Sequence, residues 1–187
     1  VITRFNTLIF TILLLFIVIK LHAQKTSSLE NHDLKQQNLD RFDIDGDTQL
    51  SQEEIDLMFE VNVKAPLRLI RMALPYLKRS GSGRIVNVCS ASGKRISTNY
   101  VGYHMTKFAA VALSHAARRI AWDEGVRSIA LCPGVTNTEM SVGKGKGPTN
   151  LMTQPEDLAE VVATLISLPN NASVAEIIVN RRLEDTL

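Results

Sequence analysis

"VNVCSASGKRISTNYVGYHMTK", Val86 to Lys107, reads as the end of a buried strand, a polar loop and the start of a long helix. Upstream the strand begins as "RIVNVC", a short apolar, β-branched run that suits a parallel strand covered on both faces. Ser90 closes it, Tyr103 follows thirteen residues later, and Lys107 lies four beyond the tyrosine. Positions i and i+4 share one helix face, so Tyr103 and Lys107 are neighbours. A free tyrosine titrates near about 10, and an ammonium one turn away favours phenolate. The pairing therefore predicts a Tyr103 pKa lowered toward the range useful for general acid–base work, with Ser90 hydrogen-bonding the same substrate oxygen. A YxxxK pair alone is short enough to arise by chance. A serine thirteen residues earlier, at a strand end, makes the constellation far more specific.

Working outward, the pattern alternates helix and strand from Glu60 onward. "VNVKAPLRLIRMALPYLKR" carries apolar residues at helical spacing, with Pro66 and Pro75 as expected kinks, and "GSG" at 81–83 is a turn. A helix over about Tyr100–Asp123 ends near Gly125, and "VRSIALC" is a second strand stopped by Pro133. A helix from about Pro155 to Leu168 and the strand "AEIIVN" complete the order. This succession predicts an α/β fold, three parallel strands with flanking helices. In such sheets ligands bind beyond the carboxyl ends of the strands, where Ser90 and "PGVTNT" both fall.

Residues from about Glu60 to Leu187 resemble the C-terminal portion of a classical short-chain dehydrogenase/reductase, which implies a partial Rossmann-type, doubly wound parallel sheet. "FEVNVKAP" is similar to that family's central helix, placing Asn62 as the active-site asparagine. "GRIVNVCSASG" matches its serine strand, with Ser90 as the catalytic serine. "YHMTK" makes Tyr103 the acid–base and Lys107 the lysine that binds the nicotinamide ribose. "CPGVTNT" resembles the segment in which Pro133, Gly134 and Val135 line the nicotinamide and Thr138 contacts its carboxamide. The resemblance implies hydride transfer between NAD or NADP and a small-molecule carbonyl or alcohol, with Asn62 helping to hold a water that relays protons to Lys107.

The family's glycine-rich TGxxxGxG turn, its ribose-reading residue and its NNAG strand have no counterpart in this sequence. A phosphate-cradling turn joins a strand to a helix N-terminus, whereas "GSG" precedes a strand and "GKGKG" at 143–147 follows Thr138 in a loop. Weak or absent cofactor binding is the expectation. A three-strand sheet would also present a bare inner edge, which favours dimerisation, loose packing or aggregation.

Two N-terminal segments read differently. "DIDGDTQLSQEE", Asp43 to Glu54, resembles the twelve-residue calcium loop of an EF-hand, with Asp43, Asp45, Asp47, Gln49, Ser51 and Glu54 as the ligands. Thr48 stands where that loop carries its turn glycine. The same "SQEE" is also a helix-capping signature, so a solvated helix start remains the alternative. Residues 1–24 carry the uncharged run "FNTLIFTILLLFIVI" (5–19) between Arg4 and Lys20, then Ala23. That describes a signal peptide, with a membrane anchor as the alternative. The organisation expected is thus a leader over 1–24, a helical EF-hand-like segment over 25–59 and a truncated dehydrogenase domain over 60–187. An exported calcium-binding protein and an inactive fusion or truncated product are the competing readings. The leader implies export, and the resemblance of the main body implies the cytoplasm.

Charge supports the division: residues 25–60 hold three basic and ten acidic side chains, whereas residues 61–187 hold sixteen basic and nine acidic. The basic residues are scattered, and three tyrosines and one tryptophan offer little for stacking, which argues against nucleic acid as a partner. Membrane contact is expected only through residues 5–19. Cys89 and Cys132 lack metal-ligand spacing and read as buried apolar residues.

Overall fold

Ser51 opens the first helix of the computed structural model, which describes residues 51–98, 100–141 and 147–182. The Glu54 N–H donates to Ser51 Oγ at 3.2 Å, and the Ser51 N–H donates to Glu54 Oε2 at 2.9 Å. This reciprocal capping box starts α1, Gln52–Phe59. A π-helical turn, Glu60–Lys64, follows without a break and leads into α2, Ala65–Ser80. Pro66 explains the change of pitch, because it has no N–H to return to the Asn62 carbonyl. The boundary drawn at residues 59 and 60 thus falls inside one continuous helical run. Pro75, the other expected kink, sits within α2.

The chain then alternates β1 (Arg84–Val88), α3 (Val101–Ile120), β2 (Arg127–Pro133), α4 (Pro155–Ser167) and β3 (Glu176–Val179). The strands form one sheet in the order β1-β2-β3, all parallel. Arg84 to Val88 pair with Arg127 to Leu131, and Ala130 to Pro133 with Glu176 to Val179. Central β2 is buried along its whole length, as its apolar run predicts. The three expected strands and three expected helices are therefore present where the hydrophobic periodicity placed them.

Helix α3 lies close to the sheet because its buried face is built from small residues: Gly102, Thr106, Ala110, Ser114 and Ala117. Ala110 and Val111 pack with Cys89, Ala130 and Cys132, and Ile178 joins from β3. Both cysteines are free and fully buried, as their apolar surroundings suggest. Gly125 turns the chain from α3 toward β2 at φ +79°, so close to the Gly81 carbonyl that no side chain could fit. No helix among the described residues is long and apolar enough to cross a membrane; residues 5–19 lie outside that set.

Candidate active site

Parallel register sets the site. Cys89 N–H still donates to the Leu131 carbonyl at 2.7 Å, so Ser90 is the first residue beyond the ladder. Its backbone takes φ 121°, ψ 153°, a conformation that side chains rarely adopt and that costs on the order of 1–3 kcal/mol. A short 3₁₀ turn, Ala91–Gly93, follows, and the Ser92 N–H donates to Ser90 Oγ at 3.1 Å.

Tyr103 and Lys107 stand one turn apart near the start of α3, both half-buried. The Ser90 side chain is close enough to the Tyr103 phenol to favour its ionised form, and Lys107 Nζ lies 5.5 Å from the centre of the Tyr103 ring. The three predicted side chains therefore converge. Lys107 also donates to the Val88 carbonyl at 3.5 Å, the outer limit of a hydrogen bond.

The titration behaviour corrects one expectation. Burial pushes the Tyr103 phenol above its ordinary value, and the Ser90 side chain only partly opposes this. The lowering expected from Lys107 is absent because the ammonium sits over the ring face and not at the hydroxyl. Lys107 is itself held below the usual lysine value by burial, with the thiols of Cys89 and Cys132 opposing. At neutral pH the phenol is a proton donor.

Asn62 projects from the π-helical turn, and its Nδ2 donates to Thr106 Oγ1 at 3.1 Å. Thr106 in turn donates to the Tyr103 carbonyl at 2.9 Å. Asn62 and Lys107 line one cleft of about 140 Å³ together with Val61, Pro66, Asn87 and Val88. Sequence reasoning missed Asn87 and Thr106. Asn87 Nδ2 is buried beside Lys107 with no hydrogen-bond partner, a donor that an oxygen in the cleft would satisfy. The signal for both was present: a polar residue within an apolar strand, and one inside the YxxxK turn.

Pro133 ends β2, with Gly134 and Val135 directly beyond it. Gly134 N–H donates to the Val179 carbonyl at 2.8 Å, and the Val135 carbonyl accepts from Thr153 N–H at 3.2 Å. Thr138 is exposed, its N–H donating to Ser141 Oγ at 3.1 Å. These residues lie at and past the carboxyl end of the strand next to Ser90. The under-bonded Lys107 ammonium and the orphaned Asn87 amide fit a hydroxylated, oxygen-rich group in the cleft that they share with Asn62. No glycine-rich strand–turn–helix for a pyrophosphate occurs among the described residues.

Of the expected calcium ligands, Asp43, Asp45, Asp47 and Gln49 lie outside the described residues, as does the leader over 1–24. Ser51 and Glu54 are bonded to each other as a helix cap. Among the described residues no group of three or more His, Cys, Asp or Glu side chains is placed to hold a metal.

Ser90, Tyr103 and Lys107 thus lie at the carboxyl edge of a Rossmann-like parallel sheet with flanking helices. The short chain dehydrogenase family model matches residues 44–148, and the chain belongs to that family. That match begins inside the acidic loop, sixteen residues before Glu60. An agropine synthesis reductase of Rhizobium rhizogenes is 42% identical over 125 residues, covering 67% of this chain and 29% of the relative. An uncharacterized oxidoreductase of Staphylococcus epidermidis is 28% identical over 130 residues, covering 70% and 56%. Among solved structures, an alcohol dehydrogenase from the archaeon Thermococcus sibiricus, complexed with 5-hydroxy-NADP, aligns with TM-score 0.64 at 31% identity. It is covered to 58%, and 73% of this chain is used. A 3-ketoacyl-(acyl-carrier-protein) reductase from Brucella melitensis, complexed with NADH, aligns with TM-score 0.64 at 26% identity and covers 71% and 58%. The chain therefore spans less than two thirds of each of these relatives.

Proposed function

We propose that this chain carries the catalytic portion of an NAD(P)-linked oxidoreductase that interconverts a small carbonyl compound and its alcohol. The carrying observation is the convergence of Ser90 and Lys107 on Tyr103 at the carboxyl end of β1. A bound NAD(P)H would supply the hydride. In the reducing direction Ser90 Oγ–H donates a hydrogen bond to the substrate oxygen, and Tyr103 transfers its phenolic proton to that oxygen as the alcohol forms. Ser90, the neighbour that favours the ionised phenol, stabilises the phenolate left behind. The cleft shared by Asn62 and Lys107 is large enough for solvent and gives the proton a return path. Pro133, Gly134, Val135 and Thr138 are assigned to the nicotinamide side, with Lys107 on the ribose.

The test is nicotinamide absorbance during incubation of the full chain with NADH or NADPH and a panel of aldehydes and ketones. Turnover should fall at least about 10²-fold in Tyr103→Phe, as for loss of a general acid. Turnover unaffected by Tyr103→Phe, or none with any carbonyl at millimolar cofactor, would refute the proposal for this chain.

A further inference from the structure

His104 follows Tyr103 and is 1% exposed, the largest polar side chain buried in α3. Its two ring nitrogens make separate contacts. Nδ1 lies 3.0 Å from the Ser92 carbonyl and Nε2 lies 3.0 Å from Thr98 Oγ1. A carbonyl can only accept, so Nδ1 carries a proton and donates to it, while Nε2 pairs with the Thr98 hydroxyl. Thr98 Oγ1 is also approached by the Tyr100 N–H at 3.4 Å. A single imidazole thereby joins the first turn of α3 to both ends of the loop that leaves Ser90.

That loop carries the strained residue. A non-glycine residue at φ 121° persists only when its surroundings over-determine it. Two hydrogen bonds tie Ser90 to the turn: the Ser92 N–H to Oγ, and the Gly93 N–H to the Ser90 carbonyl at 2.9 Å. The turn must then be fixed to something rigid. Gly93 lies so close to the Lys107 carbonyl that a Cβ would meet it at 2.6 Å. The His104 Nδ1–H to Ser92 carbonyl bond ties the same turn to the same helix. Farther along, Lys94 Nζ pairs with Glu176 at 2.7 Å, anchoring the loop to β3.

We infer that His104 is a positioning residue: through its Nδ1–H bond to Ser92 it holds the strained Ser90 against the Tyr103 phenol. The inference rests on the proposed function only in giving Ser90 its role toward Tyr103. His104 acts through Ser92 and Ser90 and does not itself touch the reacting groups.

The test uses the full chain labelled with fluorotyrosine, whose three phenols are resolved by ¹⁹F NMR and assigned with Tyr103→Phe. Ser90→Ala, which removes the hydroxyl that opposes burial, should raise the Tyr103 titration midpoint. His104→Asn retains a donor at the Nδ1 position and should keep the wild-type midpoint. His104→Gln retains only the Nε2-side contact and should raise the midpoint by at least half the displacement of Ser90→Ala. Trypsin cleavage after Lys94 or Arg95 supplies a second readout, faster in His104→Gln and unchanged in His104→Asn. Asn and Gln variants that behave alike in both readouts, or in the reverse order, would overturn the assignment. If Ser90→Ala leaves the Tyr103 signal in place, the role given to Ser90 fails, and the tryptic comparison alone decides the clamp.

Discussion

Tyr103 is governed by burial before it is governed by its neighbours. An unfolded tyrosine ionises near about 10, whereas the folded phenol resists ionisation beyond that value. A raised folded pKa means that its contribution to stability is intact below about 10 and is lost as pH climbs through the folded value. Lys107 acts in the opposite sense: its buried ammonium costs stability at neutral pH, and that cost disappears as the unfolded lysine also loses its proton near about 10.4. Urea unfolding at pH 9 and pH 11 should show a larger alkaline loss in wild type than in Tyr103→Phe. Equal losses would contradict the burial of the phenol. The types and spacing of Ser90, Tyr103 and Lys107 were legible in the sequence because a strand end and one helix face fix them. The direction of the Tyr103 shift was not, since spacing records neighbours and says nothing of solvent exclusion.

Helix α1 shows why one stretch supported two readings. The S-x-x-E spacing of a capping box coincides with positions 9 and 12 of a calcium loop, so Ser51 and Glu54 satisfy both patterns. The structure spends both on the cap. Ser51→Ala should therefore destabilise the fold by about 1 kcal/mol, while Glu54→Gln, which keeps a capping side chain, changes it little. Chemical denaturation checks both, and calorimetry with calcium provides the contrast: binding heat lost in Glu54→Gln would show that the carboxylate serves a metal instead. The strands and α3 were readable because a β-branched apolar run and a 3.6-residue period differ clearly. The π-helical turn was anticipated only as a kink at Pro66. Its pairing of Asn62 with Thr106 spans 44 residues and leaves no local trace.

At the scale of the molecule, β1 has a sheet neighbour on one side only among the described residues. Val88, at the end of that strand, is 55% exposed, and α2 and α3 also leave Met72, Tyr76, Met105 and Phe108 exposed. Open edges of this kind favour association between chains, and a charge placed on the edge opposes it. Val88→Lys should lower concentration-dependent association in analytical ultracentrifugation, and unchanged self-association would show that the edge is not the adhesive surface. The same edge borders the cleft lined by Lys107, Asn62 and Asn87, so the sheet margin and the chemistry meet in one place. The proposed function makes Lys107, in this cleft, the residue that holds the nicotinamide ribose. Titration of NADH and NADPH fluorescence against the full chain tests it most directly. Saturable binding, weakened at least tenfold in Lys107→Ala, is expected; absence of saturable binding at millimolar cofactor, or equal binding by Lys107→Ala, would contradict this role.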